Sequence, residues 1–271
     1  MKRALVRAAT GALLSLGLGG AVVGLEVLAA LRRDYVPSHP VLEITGTFGP
    51  ADGRPVRFVV LGDSTAAGLG AGSPERSYPV LLAQRLAEDG YRVELDSLGV
   101  SGARTADVAS TQAPLAAEAD PDLVLVAIGG NDVTHLTRLA SVRRDLRTAL
   151  VRLRTTGAPV VVAGVPDMRA LAFLEPLRSL AGWRGRVVSR VIRDVAGDLG
   201  LPYVPLAERT GHFFTEDPDR HFSVDLFHPG PGGYRRWADA IYPELAGALA
   251  GPSEESRSPA PRSSRSRRST P

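Results

Sequence analysis

Phe58-Val59-Val60-Leu61-Gly62-Asp63-Ser64 sets four consecutive apolar residues ahead of a glycine, a carboxylate and a hydroxyl. An apolar run without polar alternation belongs to a strand covered on both faces, as in a parallel sheet packed between helices. The same character returns in Leu123-Val124-Leu125-Val126 and in Val160-Val161-Val162. Strands are therefore expected at 56–62, 92–98, 123–128, 160–165 and 203–205, with helical stretches at 77–89, 104–118, 139–156, 184–199 and 231–249. In the third helix Leu139, Val142, Leu146, Leu150 and Leu153 recur at spacings of three or four and make one apolar stripe. Gly157 and Pro159 then end it. The alternation predicts an α/β protein: a three-layer α/β/α sandwich around a five-stranded parallel sheet with right-handed crossovers.

In such a sheet, ligands bind beyond the carboxyl ends of the strands. Four polar motifs fall there: Gly62-Asp63-Ser64, the turn around Gly102, Gly129-Gly130-Asn131-Asp132, and Asp225-Leu226-Phe227-His228-Pro229. Ser64 is a candidate nucleophile, although serine at a strand end is also an ordinary helix cap. The glycine-rich stretch after it lacks the endings of a phosphate-binding loop, and Gly-Asp-Ser is not the G-x-S-x-G nucleophile elbow. His228 is the candidate base, with Asp225 three residues earlier to hold the imidazole and stabilise its charged form. The backbone N–H groups of Ser64 and Gly102 and the side-chain amide of Asn131 could together bind an oxyanion. Asp132 is assigned to the scaffold, because a carboxylate aimed at an oxyanion would oppose it.

Composition narrows the remaining possibilities. The 271 residues contain no cysteine, which excludes disulfides, thiolate metal sites and a cysteine nucleophile. Five basic residues against Glu26 in 1–33, and five arginines against Glu254 and Glu255 in 251–271, outweigh the chain's net charge of +3, so 34–250 is mildly acidic. An acidic central domain suits neither phosphate backbones nor nucleic acid as a partner. His212 and His221 with Asp217 and Asp219 match no metal-ligand spacing, and neither metal nor cofactor is expected.

Ala8 to Leu25 is an 18-residue run without charge, preceded by Lys2, Arg3 and Arg7 and followed, after Glu26, by Arg32-Arg33. It is longer than a usual signal-peptide core and close to a membrane span. Residues 1–33 are read as a signal-anchor, membrane-inserted over about 8–31, that places the rest outside the cytoplasm. Cleavage and secretion is the alternative. Glu26 would sit near the far end, within reach of the interface. Residues 34–55 read as an irregular linker and 56–250 as the catalytic domain. Residues 251–271, rich in Ser, Arg and Pro, read as a disordered tail.

On these four motifs the chain resembles the SGNH, or GDSL-type, hydrolases over about 56–250. Gly62-Asp63-Ser64, Gly102, Gly129-Gly130-Asn131-Asp132 and Asp225–Pro229 match the family's blocks in order and spacing. Asp96-Ser97-Leu98-Gly99 departs from it, since relatives often carry Asn before the Leu-Gly turn. The resemblance implies a flavodoxin-like fold and metal-free ester hydrolysis through an acyl-enzyme on Ser64. Expected substrates are small-molecule esters, lipids or acylated sugars. Met168, Leu171, Phe173, Leu174, Phe213, Phe214 and Phe222, in the expected loops 166–182 and 207–224, could line an acyl pocket or merely cover the sheet end. A carbohydrate O-deacetylase or an acyltransferase would use the same site, and a non-catalytic binding module is the reading from another class.

Overall fold

The computed structural model describes residues 19–30, 32–37 and 42–251. Its sheet has six strands in the order β1-β3-β2-β4-β5-β6. They are β1 (Thr45–Phe48), β2 (Arg54–Gly62), β3 (Tyr91–Ser97), β4 (Leu123–Ala127), β5 (Val160–Ala163) and β6 (Tyr203–Val204). The last five are parallel, as expected, and β1 is added antiparallel to β3 at the edge. β1 lies in the stretch read as an irregular linker. Its residues are exposed or half-buried, so it leaves no apolar signal.

The central strands fill two cores by simple alternation. Val56, Phe58 and Val60 of β2 face one core, with Leu123 and Leu125 of β4. Helices α1 (Tyr78–Glu88) and α8 (Pro231–Ala250) cover that face. Val59 and Leu61 face the other, with Val124 and Val126, under α2 (105–118), α4 (Leu139–Arg154) and α5 (Leu177–Asp198). From Phe58 to Gly62 in β2, and throughout β4 and β5, each residue is thus buried whichever way it points, which explains the unbroken apolar runs. In α4 four of the five stripe residues, Val142, Leu146, Leu150 and Leu153, are buried together with Ala149, and Leu139 at the helix start is half-buried against the same core.

Three further helices are α3 (Gly130–Thr134), α6 (Leu206–Glu216) and α7 (Pro218–His221). The latter two occupy most of the stretch expected as a loop at 207–224. α5 begins seven residues before its expected start, at Leu177. Of the N-terminal apolar segment, 1–18 lie outside the described residues and 19–30 are helical. Among the described residues no helix is long and apolar enough to cross a membrane. Glu26 does not face outward: it is 9% exposed, and its carboxylate accepts the N–H of Leu177 at 2.9 Å, capping α5. The expected C-terminal tail, beyond 251, also lies outside the described residues.

Without β1 the strand order reverses between β2 and β4, and the crevice that a reversal leaves at the carboxyl edge is where doubly wound sheets bind ligands. Ser64 follows β2 and Asn131 follows β4.

Candidate active site

β2 ends at Gly62, and Ser64 sits in the tight turn after it, 8% exposed. The turn closes through N–H of Ala67 to Asp63 carbonyl (3.1 Å) and N–H of Leu69 to Ser64 carbonyl (2.9 Å). Gly70, at φ +86°, explains part of the glycine-rich stretch that follows. A Cβ there would lie 2.3 Å from the carbonyl oxygen of Pro229 and 3.2 Å from Cβ of His228. Only glycine lets the nucleophile turn touch the histidine loop this closely.

That second loop, between α7 and α8, is itself cross-tied. Phe222 and Pro229 form an isolated antiparallel bridge, the N–H of Ser223 donates to the His228 carbonyl (2.8 Å), and that of Gly230 to the His221 carbonyl (2.8 Å). The Leu226 carbonyl accepts the N–H of Ala172 at 3.0 Å, fastening the loop to residues 166–176. Asp225 and His228 are therefore held by a tight loop, not by a helical turn.

The three side chains meet. His228 Nε2 lies 3.1 Å from the Ser64 hydroxyl, and His228 Nδ1 lies 2.7 Å from Asp225 Oδ2. Burial pushes the Asp225 carboxyl up, but hydrogen bonds from His228, from the Ser223 hydroxyl (2.7 Å) and from the N–H groups of Phe227 and His228 (both 2.9 Å) hold it well below the usual carboxylate range. An ionised Asp225 accepts a hydrogen bond from Nδ1–H, which leaves Nε2 as the acceptor for the serine hydroxyl.

Asp63, 7% exposed, behaves oppositely. Burial raises its pKa; hydrogen bonds from the Thr65 N–H (3.0 Å) and hydroxyl (2.8 Å) to Oδ1 lower it only in part.

Asn131 lies at the start of α3, with one amide hydrogen donated to the Ala103 carbonyl at 3.0 Å. Among the described residues its second hydrogen has no acceptor, and the residue lines the cavity beside Ser64. Asp132 is fully buried and accepts from the N–H and hydroxyl of Thr105, both at 3.0 Å. It ties the Asn131 turn to α2, as a scaffold residue should.

Gly102 sits exposed in the turn after β3 at φ +83°, and it is absent from the cavity wall. Its turn adjoins the nucleophile turn: the N–H of Val100 donates to the Gly62 carbonyl at 3.2 Å. Among the described residues the N–H groups of Gly102 and Ser64 have no acceptor. At the departure from the family pattern, the Ser97 hydroxyl donates to the Ala66 carbonyl at 2.9 Å, so this serine provides a local tie to the nucleophile turn.

Sequence reasoning missed several supporting groups. Gln112, 2% exposed, bonds both backbone groups of Gly62. Ser223 feeds Asp225, and its position two residues before an aspartate was a readable hint. The N–H of Val36 also reaches Asp225 Oδ2, at 3.1 Å, and nothing in sequence signals it.

The cavity has a volume of about 70 Å³ and opens beside Ser64 and His228. Apart from Asp63, Thr65, Asn131 and Asp167 its remaining walls are apolar, with Met168, Ala170, Phe214, Phe222, Phe227 and Trp237 among them. Of the residues suggested for an acyl pocket, Leu171, Phe173, Leu174 and Phe213 do not line it. His212 stacks on Phe213, and His221 Nδ1 pairs with the Asp217 carbonyl at 2.8 Å.

Residues 60–236 match the family model described as the GDSL-like Lipase/Acylhydrolase family. A GDSL-like esterase of Mycobacterium tuberculosis is 35% identical over 197 residues, covering 72% of this chain and 63% of that protein's length. Esterase TesA of Pseudomonas aeruginosa is 32% identical over 193 residues, 69% of this chain and 87% of its own. Among solved structures, that of TesA superposes with a TM-score of 0.58 at 26% identity, covering 70% of this chain and 97% of the other. The acetylxylan esterase Axe2 of Geobacillus stearothermophilus shares the fold, with a TM-score of 0.57 at 19% identity over 73% of this chain and 97% of its own.

Proposed function

The chain belongs to the GDSL-like lipase/acylhydrolase family of ester hydrolases, and we propose that it cleaves carboxylic esters of short acyl chains through an acyl-enzyme on Ser64. The carrying observation is the unbroken relay from the Ser64 hydroxyl through His228 to Asp225, at 3.1 and 2.7 Å. His228 Nε2 takes the hydroxyl proton as the serine oxygen attacks the ester carbonyl. The imidazolium then gives that proton to the departing alcohol, and water releases the acyl group by the same route in reverse. Asp225, already ionised, stabilises the imidazolium without taking its proton.

The N–H groups of Ser64 and Gly102 and the second hydrogen of the Asn131 amide serve as oxyanion donors in this reading. Loss of one such donor costs about 3–4 kcal/mol of transition-state stabilisation. The small cavity of about 70 Å³ beside Ser64 and His228, with largely apolar walls, supports a short acyl group as its occupant. Acetylated sugars carry such a group, and the uncharged run 8–25 between basic residues supports an extracytoplasmic location where such esters or lipids are met.

The test is Ser64→Ala assayed on p-nitrophenyl acetate and butyrate. Turnover is expected to vanish while the thermal unfolding midpoint stays within a few degrees. Undiminished turnover in that variant would falsify the assignment.

A further inference from the structure

Among the described residues five hydrogen bonds reach Asp225, and four come from its own loop. Ser223 Oγ and the N–H groups of Phe227 and His228 donate to Oδ1, and His228 Nδ1–H donates to Oδ2. The fifth comes from the far end of the chain: the N–H of Val36 donates to Oδ2 at 3.1 Å. Residues 35–37 follow the segment that Glu26 pins to the start of α5. Ala30 and Tyr35 pack on a small cluster of Ala170, Ala172 and Phe173, separate from the two main cores. Tyr35 meets Phe227 edge-on at 5.4 Å between ring centroids, and Phe227 in turn meets His228 at 5.0 Å and 87°.

We propose that residues 35–37 are a strap that positions the Asp225–His228 pair, with the backbone N–H of Val36 as its working group and the Tyr35 ring as its anchor. This rests on the assignment of that pair to the relay. Three donors fix Oδ1, but Oδ2 would otherwise hold only the imidazole it must orient. A second donor from a separate segment fixes the direction of that oxygen, and with it the plane of the ring. The strap also leaves Asp225 only 3% exposed, which keeps water from competing for the carboxylate. The segment lies outside the residues matched to the family model, 60–236.

The test uses the full chain with Val36→Pro, which deletes the N–H. Pro37 already confines residue 36 to extended backbone, a region that proline tolerates. Removing a hydrogen bond to a charged group should lower kcat roughly tenfold with KM little changed. The low-field proton signal of His228 Nδ1–H, read by NMR without substrate, should move. Val36→Ala, which keeps the N–H, should restore both the rate and the signal. Tyr35→Ala should shift both in the same direction by less.

Wild-type kcat in Val36→Pro overturns the proposal, as does a fall in kcat with the proton signal unmoved, which is the mark of a merely structural role. Because the signal is read without substrate, failure of the hydrolase reading, seen as turnover surviving Ser64→Ala, is told apart from failure of the strap.

Discussion

Gln112 grips Gly62 by both of its backbone groups: Oε1 accepts the glycine N–H at 2.9 Å and Nε2 donates to its carbonyl at 2.8 Å. Gly62 ends β2 two residues before Ser64. There the ladder with β3 has ended, although Gly62 still pairs with Ala127 of β4, so a buried amide replaces the missing β3 partner. Gln112 reaches it from the last position of a five-residue π turn, Val108–Gln112, inside α2. Such turns recur at functional sites because the extra residue redirects a side chain.

Gln112→Leu keeps the volume and removes both bonds. The Gly62 carbonyl still accepts from Val100, so the glycine N–H is the group left orphaned. Stability should fall by about 1–3 kcal/mol, the cost of one buried unsatisfied donor. Urea denaturation gives this number directly. Because the nucleophile turn loses its anchor, kcat should fall as well, more than KM rises. Wild-type stability and kcat in this variant would show that the clamp holds nothing.

Such a residue leaves no trace in the sequence. Ser64, Asp225 and His228 were legible because a strand end, a fixed spacing and the chemistry of acyl transfer all select them. The parallel sheet was legible because both of its faces are buried along β2, β4 and β5, leaving unbroken runs of Phe, Val and Leu there. Gln112 instead acts on a residue 50 positions away through a side chain that any solvated helix could carry. Val36 acts through its backbone, which has no sequence identity at all. β1 has an exposed or half-buried pattern throughout, so hydrophobic alternation never marks it. α6 begins after Pro205 with few buried residues; Phe214 faces the cavity while Phe213 lies against His221 and Arg236, which is why the stretch reads as a loop.

The Asp63 carboxyl gives a pH signature. Burial raises its pKa above the usual 3.8, so the folded protein holds this proton more tightly than the unfolded chain does. The sign follows from linkage: its contribution to stability is whole below pH 3.8 and is lost as pH rises through the higher folded value. Asp63→Asn keeps an oxygen acceptor for both Thr65 donors and cannot ionise. The variant should match the wild type near pH 3.5 and become the more stable of the two as pH climbs, levelling off above the folded pKa. Each unit of upward displacement corresponds to about 1.4 kcal/mol of that gap. Urea midpoints between pH 4 and 8 measure it, and a constant gap across that range would refute the burial argument.

Cavity depth should set the acyl chain that fits. Phe214 forms part of the wall with Leu206 and Trp237, and it is held edge-on against Phe222 at 4.9 Å. A Cβ on Gly233 would lie 2.7 Å from its ring, so the packing behind the ring is already tight and the ring cannot retreat for a longer chain. Phe214→Ala removes it and extends the space toward Leu206 and Trp237. Each methylene that then becomes buried is worth about 0.8 kcal/mol, or roughly fourfold in kcat/KM. The ratio of p-nitrophenyl octanoate to p-nitrophenyl butyrate turnover should rise by at least that factor, while acetate turnover falls little because its carbonyl is still held at Ser64. Core truncation of this kind also lowers stability, by up to about 3 kcal/mol for a half-buried ring, so the comparison belongs well below the variant's unfolding midpoint. A ratio that does not change would place the acyl chain outside this cavity and transfer the specificity question to the open side of the crevice.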